Sequence, residues 1–128
     1  DMGVFKFIEN IIRGRTIDVY NFGKMRRNFT YIDDIATGTI AVLDADLPCD
    51  VMNIGGDRDE ALLDYIAAVE RFSGKKAKKH MMPIQPGDVP KTVADIRKLQ
   101  KLGWQPTTHI EQGVKNFVEW YKEYYQIL

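Results

Sequence analysis

Two adjacent guanidiniums, Arg26 and Arg27, follow the turn residue Gly23 and lead into a stretch that favours extended backbone, Asn28 to Ile32. A guanidinium offers a planar fork that can grip two phosphate oxygens at once, so Arg27 is a candidate for holding a diphosphate. The plainer alternative is a surface pair that solvates a hairpin or pairs with Asp33, and local sequence leaves both open. Other patterns only imitate chemistry. Tyr20 and Lys24 spell YxxxK, which works where a helix stacks the two side chains one turn apart and the ammonium lowers the phenol pKa. Asn21 and Gly23 between them predict a strand end and a turn instead. Gly55-Gly56 lacks the third glycine of a dinucleotide fingerprint. His80 and His109 have no Cys, His or carboxylate neighbours at ligand spacing, so no metal site is expected. Asp33 and Asp34 are adjacent and diverge from each other; an acidic helix N-cap accounts for them.

The elements that must position these groups alternate between helical and extended patterns. Val4, Phe5, Ile8, Ile11 and Ile12 sit at helical spacing before Gly14. Ile17 to Phe22 predicts a strand running into Gly23, and Asn28 to Ile32 a second short extended segment. A helix over 34 to 45 follows the Asp33-Asp34 cap, and Val51 to Ile54 reads as a buried strand entering Gly55-Gly56. Leu62, Leu63, Ile66, Val69 and Phe72 predict a helix over 59 to 73, stopped by Gly74. A strand near 79 to 84 precedes a loop rich in proline and glycine, Gln85-Pro86-Gly87-Asp88 with Pro90. Asp95 can cap a short helix ended by Gly103, and Thr108 with Glu111 has capping-box spacing before a last helix. In that helix Ile110, Val114, Phe117, Tyr121 and Tyr124 share a face. The expectation is a single α/β unit spanning residues 1–128, with about five helices and four short strands.

Composition excludes several classes of partner. The 128 residues are 45% hydrophobic and 28% charged, enough for one modest core. The 18 basic and 18 acidic residues cancel, so no nucleic-acid partner is expected. The run Lys75, Lys76, Lys78 and Lys79 reads as a solvated connection. No apolar run approaches the length of a membrane span, and no secretory signal opens the chain. The single Cys49 cannot form an internal disulfide, which predicts a reducing, cytoplasmic setting. The first residue, Asp1, is not a translation start, so processing or derivation from a longer protein is expected.

The segments IDVYNFGKMRRNFTYIDDI, VMNIGG, QPGDVPKTVADI, LGW and GVKNFVEWY occur in an order that resembles the extended short-chain dehydrogenase/reductase proteins, the NAD-dependent epimerase/dehydratase family. The resemblance runs to the UDP-glucuronate 4-epimerase group, and it covers the substrate-binding second half of such enzymes. It implies an α/β C-terminal substrate-binding portion without the Rossmann nucleotide-binding half. It also implies nucleobase contacts at Asp18 and Tyr20, diphosphate binding by Arg27, and ribose hydroxyls held by the Asp88 carboxylate, an acceptor suited to a vicinal diol. Gln85 stands where many relatives carry arginine, so it is implied as a substrate contact with the charge removed. Asn28 replaces the commoner aspartate of R-D-F-T-Y.

By the same resemblance, NAD belongs to the full-length enzyme and no cofactor is bound by this chain. The partner is a UDP-sugar, the isolated chain is inactive, and a homodimer or other self-association is expected. An independent noncatalytic nucleotide-sugar-binding or self-association module is the alternative, as is the same part of a UDP-galactose-type epimerase or a sugar-nucleotide dehydratase.

Overall fold

Helical spacing of apolar residues produces α1 (Gly3–Ile12), which buries Ile8, Ile11 and Ile12; Gly14 follows in the left-handed region at φ 69°. The computed structural model describes residues 3–127. In β1 (Thr16–Val19), Ile17 and Val19 turn inward while Thr16 and Asp18 stay exposed. The strand was expected to reach Phe22, but it stops at Val19. Tyr20–Gly23 form a tight 3-10 turn in which Asn21 and Phe22 adopt φ of 50° and 49°. Main-chain bonds hold this uncommon geometry, from Phe22 N–H to the Met82 carbonyl at 2.9 Å and from Lys24 N–H to the Asn21 carbonyl at 2.9 Å.

The next strand, β2, is only Arg26–Arg27, and the expected extended run over Asn28 to Ile32 forms no strand. The helix α2 (Ile32–Asp44) begins earlier than predicted, with Tyr31 as its cap residue and no side-chain cap. Asp33 and Asp34 therefore lie in the first turn, where they complement the helix dipole. Asp34 caps a different part of the chain: it is buried and accepts hydrogen bonds from Thr107 and Thr108, just ahead of the last helix.

β3 (Glu60–Ala61) leads directly into α3 (Leu62–Ser73). Leu62, Ile66 and Val69 are buried as the periodicity predicts, whereas Leu63 is exposed. Gly74 ends the helix at φ 72° with its N–H on the Glu70 carbonyl. β4 (Lys78–Met81) and the short α4 (Arg97–Gln100) precede α5 (Ile110–Tyr124). The capping box is absent: His109 caps α5 without a side-chain bond, and Glu111 pairs with Arg71 of α3. Val114, Val118 and Tyr121 are buried along α5, while Tyr124 points to solvent.

Two small sheets result among the described residues. β1 and β4 pair in parallel with Thr16 opposite Lys78 and Asp18 opposite His80, and β2 and β3 pair antiparallel. The main core joins α1, β1, α3 and α5, with Tyr65, Ile66, Val118 and Tyr121 almost fully enclosed. Each such large side chain contributes roughly 1.5–3 kcal/mol by leaving water. A second cluster of Ile96, Leu99 and Trp104 packs on Ala41, Val42, Met52 and Ile54. Gly38 allows this contact, since a Cβ there would stand 2.8 Å from the Ile54 side chain.

Val51 to Ile54 was expected to be a strand, but it forms none. Met52 and Ile54 rest on the second cluster while Val51 is 82% exposed. A ladder needs a neighbouring backbone, and no described strand runs beside this segment. No helix among the described residues is long and apolar enough to cross a membrane.

Candidate functional site

A cleft of about 830 Å³ opens between α1, β1, the 3-10 turn and β2. Asp18, Tyr20, Arg27 and Asp88 all line it, so four of the five residues singled out from sequence meet in one place. Each is positioned by a simple local cause. Asp18 projects outward because its neighbours Ile17 and Val19 are committed to the core. Tyr20 sits where the strand breaks into the turn. Arg27 lies on β2, whose pairing with β3 is fixed opposite Glu60. On the side away from β4, β1 has no strand partner among the described residues, which leaves main-chain donors and acceptors along that edge.

Arg27 is held by the loop that carries Asp88. Its Nη1 donates to the Arg26 and Val89 carbonyls, both at 2.9 Å, and its Nη2 donates to Asp88 Oδ1 at 3.0 Å. The same carboxylate oxygen accepts the Val89 N–H at 3.0 Å. A turn closed by Asp88 N–H on the Gln85 carbonyl at 3.1 Å, with Gly87 at φ 84°, presents the acid. The loop is pinned to β2 by Arg26 N–H on the Pro90 carbonyl at 2.8 Å and Thr92 N–H on the Arg26 carbonyl at 3.3 Å. These bonds engage Nη1 and one hydrogen of Nη2. A guanidinium has five N–H donors, so Arg27 has donors beyond those given to Arg26, Val89 and Asp88. The expected alternative pairing of Arg27 with Asp33 does not form; its acidic partner is Asp88.

Arg26 has a different task. It pairs with Asp59, which also takes Lys91 Nζ at 3.1 Å, and hydrogen bonds from these two cations hold the Asp59 carboxyl at about 2. Alternation along the strand sends one arginine to the frame and its neighbour to the cleft. Gln85 is exposed and does not line the cleft; what it contributes is the carbonyl that closes the Asp88 turn.

Asn28 knits the floor of the site. Its Nδ2 donates to the Gly56 carbonyl at 3.0 Å and the Arg58 carbonyl at 2.6 Å, and its Oδ1 accepts the Ala94 N–H at 3.3 Å. An aspartate here could not donate to either carbonyl. The Gly55-Gly56 pair is explained by the same packing. A Cβ on Gly55 would lie 2.6 Å from both the Ala94 Cβ and Asn28 Oδ1, and one on Gly56 would lie 2.7 Å from the Phe29 carbonyl. Protein atoms fill the space beside these glycines, so the turn does not fit a dinucleotide pyrophosphate. The Tyr20–Lys24 pair likewise straddles the left-handed Asn21 and Phe22, away from any α-helix.

Several lining residues and one supporting residue escaped the sequence reading. Gly3, Phe7 and Asn10 form one stripe of α1 that faces the cleft, a spacing of four and three that helical periodicity makes visible once α1 is assigned. His80 is the supporting residue, with its Nδ1 2.9 Å from Asp18 Oδ1; nothing local in sequence signals that pairing, because it crosses between strands. Among the described residues, no group of three or more His, Cys, Asp or Glu side chains gathers to hold a metal. A smaller cleft of about 270 Å³ behind Phe29 and Thr30 is walled mainly by apolar side chains, including Ile8, Ile110 and Phe117.

The family model described as GDP-mannose 4,6 dehydratase matches residues 2–117 of this chain. A UDP-glucuronate 4-epimerase of Thermodesulfobacterium geofontis is 41% identical over 130 residues, covering 100% of this chain and 40% of its own length. Protein CapI of Staphylococcus aureus is 39% identical over 145 residues, covering 98% of this chain and 43% of its own length. The solved UDP-glucuronic acid 4-epimerase of Bacillus cereus, in complex with UDP-glucuronic acid and NAD, superposes with a TM-score of 0.89. Its identity is 33%, with 98% of this chain and 41% of that one covered. The chain thus spans about two fifths of the length of the curated relatives it matches.

Proposed function

Because the chain belongs to the GDP-mannose 4,6 dehydratase family, within the NAD-dependent epimerases and dehydratases, we propose that it forms the nucleotide-sugar-binding part of an epimerase acting at C4 of a UDP-hexuronate. One observation carries this reading: Asp18, Tyr20, Arg27 and Asp88 converge on a single cleft of about 830 Å³, within the range of pockets that hold small ligands. The chemistry of the walls follows the chemistry of a nucleoside diphosphate from end to end.

The base lies against Tyr20 and the free edge of β1, where main-chain N–H and C=O groups complement an imide. The ribose diol donates to Asp88, and the remaining Arg27 donors take the diphosphate. Gln85 supports the site by holding the Asp88 turn. With the nucleotide anchored, binding energy remote from the sugar positions the reacting carbon without touching it.

In this reading, NAD supplies hydride acceptance and return in the whole enzyme. The Gly55-Gly56 turn does not fit a dinucleotide pyrophosphate, since both glycines are packed against Asn28, Ala94 and Phe29. The chain's own work is binding and orientation, and by itself it turns over no substrate. Exposed Ile40, Leu43 and Val51 favour self-association, and a lone Cys49 suits a reducing cytoplasm.

Calorimetric titration of the chain with UDP, alongside Arg27→Ala and Arg27→Lys, tests this assignment. Saturable binding is expected, lost in the alanine variant and weakened about tenfold or more in the lysine variant, which keeps charge but lacks the fork. Equal binding by all three proteins would refute the role of Arg27. No binding by a folded chain would refute a nucleotide site formed within these residues.

A further inference from the structure

Residues 88–92 run along β2 and are pinned there by main chain. The Arg26 N–H donates to the Pro90 carbonyl at 2.8 Å, the Thr92 N–H donates to the Arg26 carbonyl at 3.3 Å, and Lys91 stands opposite Arg26 in a parallel bridge. Just upstream, the Asp88 N–H on the Gln85 carbonyl closes the turn. Backbone on both sides therefore sets the place of Asp88 without help from Arg27. Arg27 is the opposite case, a long side chain whose guanidinium is ordered by the bonds it makes. Its Nη1 is held by the Arg26 and Val89 carbonyls, and among the described residues Asp88 is the one partner of Nη2. The two side chains are 29% and 32% exposed, so the pair is partly withdrawn from water.

Resting on the nucleotide-binding reading above, we infer that Asp88 is a positioning residue for Arg27, so that the acid assigned to the ribose also sets the grip on the diphosphate. A fork that meets two oxygens needs its plane fixed as well as its place. Held by Nη1 alone, the guanidinium can turn about that end, and the ligand must then order it. Ordering one rotamer-rich side chain on binding weakens affinity by about two- to tenfold. Ribose and diphosphate recognition are then coupled, because both pass through one carboxylate, and their contributions do not add. An opposing effect accompanies this one: the Asp88 charge repels ligand phosphates, and any neutral replacement relieves that repulsion. The positioning role is read by comparing two replacements that are both neutral.

Asp88→Asn keeps an oxygen for Arg27 Nη2 and the Val89 N–H, whereas Asp88→Ala keeps neither. Each variant is titrated with UDP and with uridine, which share base and ribose, so the ratio of the two affinities reads the phosphates alone. The ratio is expected to be about two- to tenfold lower in Asp88→Ala than in Asp88→Asn. Asp88→Ser, one atom shorter than aspartate and still able to accept from its own turn, should match the alanine variant and repeats the comparison with the loop supported. Combined with Arg27→Ala, the Asn and Ala variants should give equal ratios, since the group they position is gone. Equal ratios in the presence of Arg27, or a difference that persists without it, overturn the inference while leaving the nucleotide site standing. Absence of UDP binding by the wild-type chain removes the nucleotide reading itself, and this inference with it.

Discussion

Replacing Asp34 with asparagine should loosen the joint between α2 and the entry to α5 by about 2–3 kcal/mol. The side chain is 2% exposed. Its Oδ1 accepts the Thr107 N–H at 2.9 Å and the Thr107 hydroxyl at 3.0 Å, and its Oδ2 accepts the Thr108 N–H at 2.9 Å. Asparagine keeps one oxygen. With that oxygen at the Oδ1 position, its amide nitrogen opposes the Thr108 N–H, donor against donor; flipped, it opposes the two Thr107 donors. An orphaned buried donor costs about 1–3 kcal/mol, and the surviving bonds lose the strengthening that a charged acceptor gives.

Urea denaturation followed by tryptophan fluorescence suits the measurement, since Trp104 is buried and donates to Thr37 of α2 at 3.1 Å. With a slope of about 1–3 kcal/mol per molar urea, the midpoint should fall by about 0.7–3 M. Acidity supplies a second check. Burial pushes the Asp34 carboxyl up, but the hydrogen bonds from Thr107 and Thr108 outweigh it and hold the group below its ordinary 3.8. A depressed folded pKa gives stability that is complete above the unfolded value and is lost as pH falls through the folded one. The difference between wild type and Asp34→Asn should therefore shrink below pH 3.8. A variant within about 0.5 kcal/mol of wild type at neutral pH would refute the reasoning.

Asn28→Asp should destabilise the chain by about 2–4 kcal/mol, because a carboxylate would face the Gly56 and Arg58 carbonyls with no donor to offer; an unchanged urea midpoint would count against the amide as the tie between these loops. Glu70 accepts Lys79 Nζ at 2.9 Å and the Ala77 N–H at 2.9 Å, with Lys76 nearby, and these bonds lower its pKa from 4.5 to about 2. Its stabilisation is complete above pH 4.5 and lost toward pH 2, so Glu70→Gln should lower stability at neutral pH and flatten the acid limb of a pH–stability curve. Light scattering at high micromolar concentration should find dimers or larger species, and Leu43→Glu combined with Val51→Lys should shift the sample toward monomer, since both side chains are exposed and apolar. A monodisperse wild-type monomer would rule out self-association.

Local patterning determined much of this protein. Apolar spacing located α1, α3 and α5, glycine marked the end of α3, and the order of short motifs pointed to the family and to Asp18, Tyr20, Arg27 and Asp88. These signals are legible because helix periodicity and turn chemistry are properties of neighbours in the chain. Where the reading failed, a distant partner had decided the outcome. Asp34 looked like a cap for its own helix, yet Thr107 and Thr108 use it. Glu111 looked like half of a capping box, yet it reaches Arg71. Val51 to Ile54 had strand composition but pairs with no strand among the described residues.

The division of labour between Arg26 and Arg27, the pairing of Arg27 with Asp88 and the contact of His80 with Asp18 depend on strand register and on a loop pinned far along the sequence. Residue type and local spacing are written in the chain itself. Which carboxylate meets which cation is settled only when tertiary packing brings separated segments within hydrogen-bond distance.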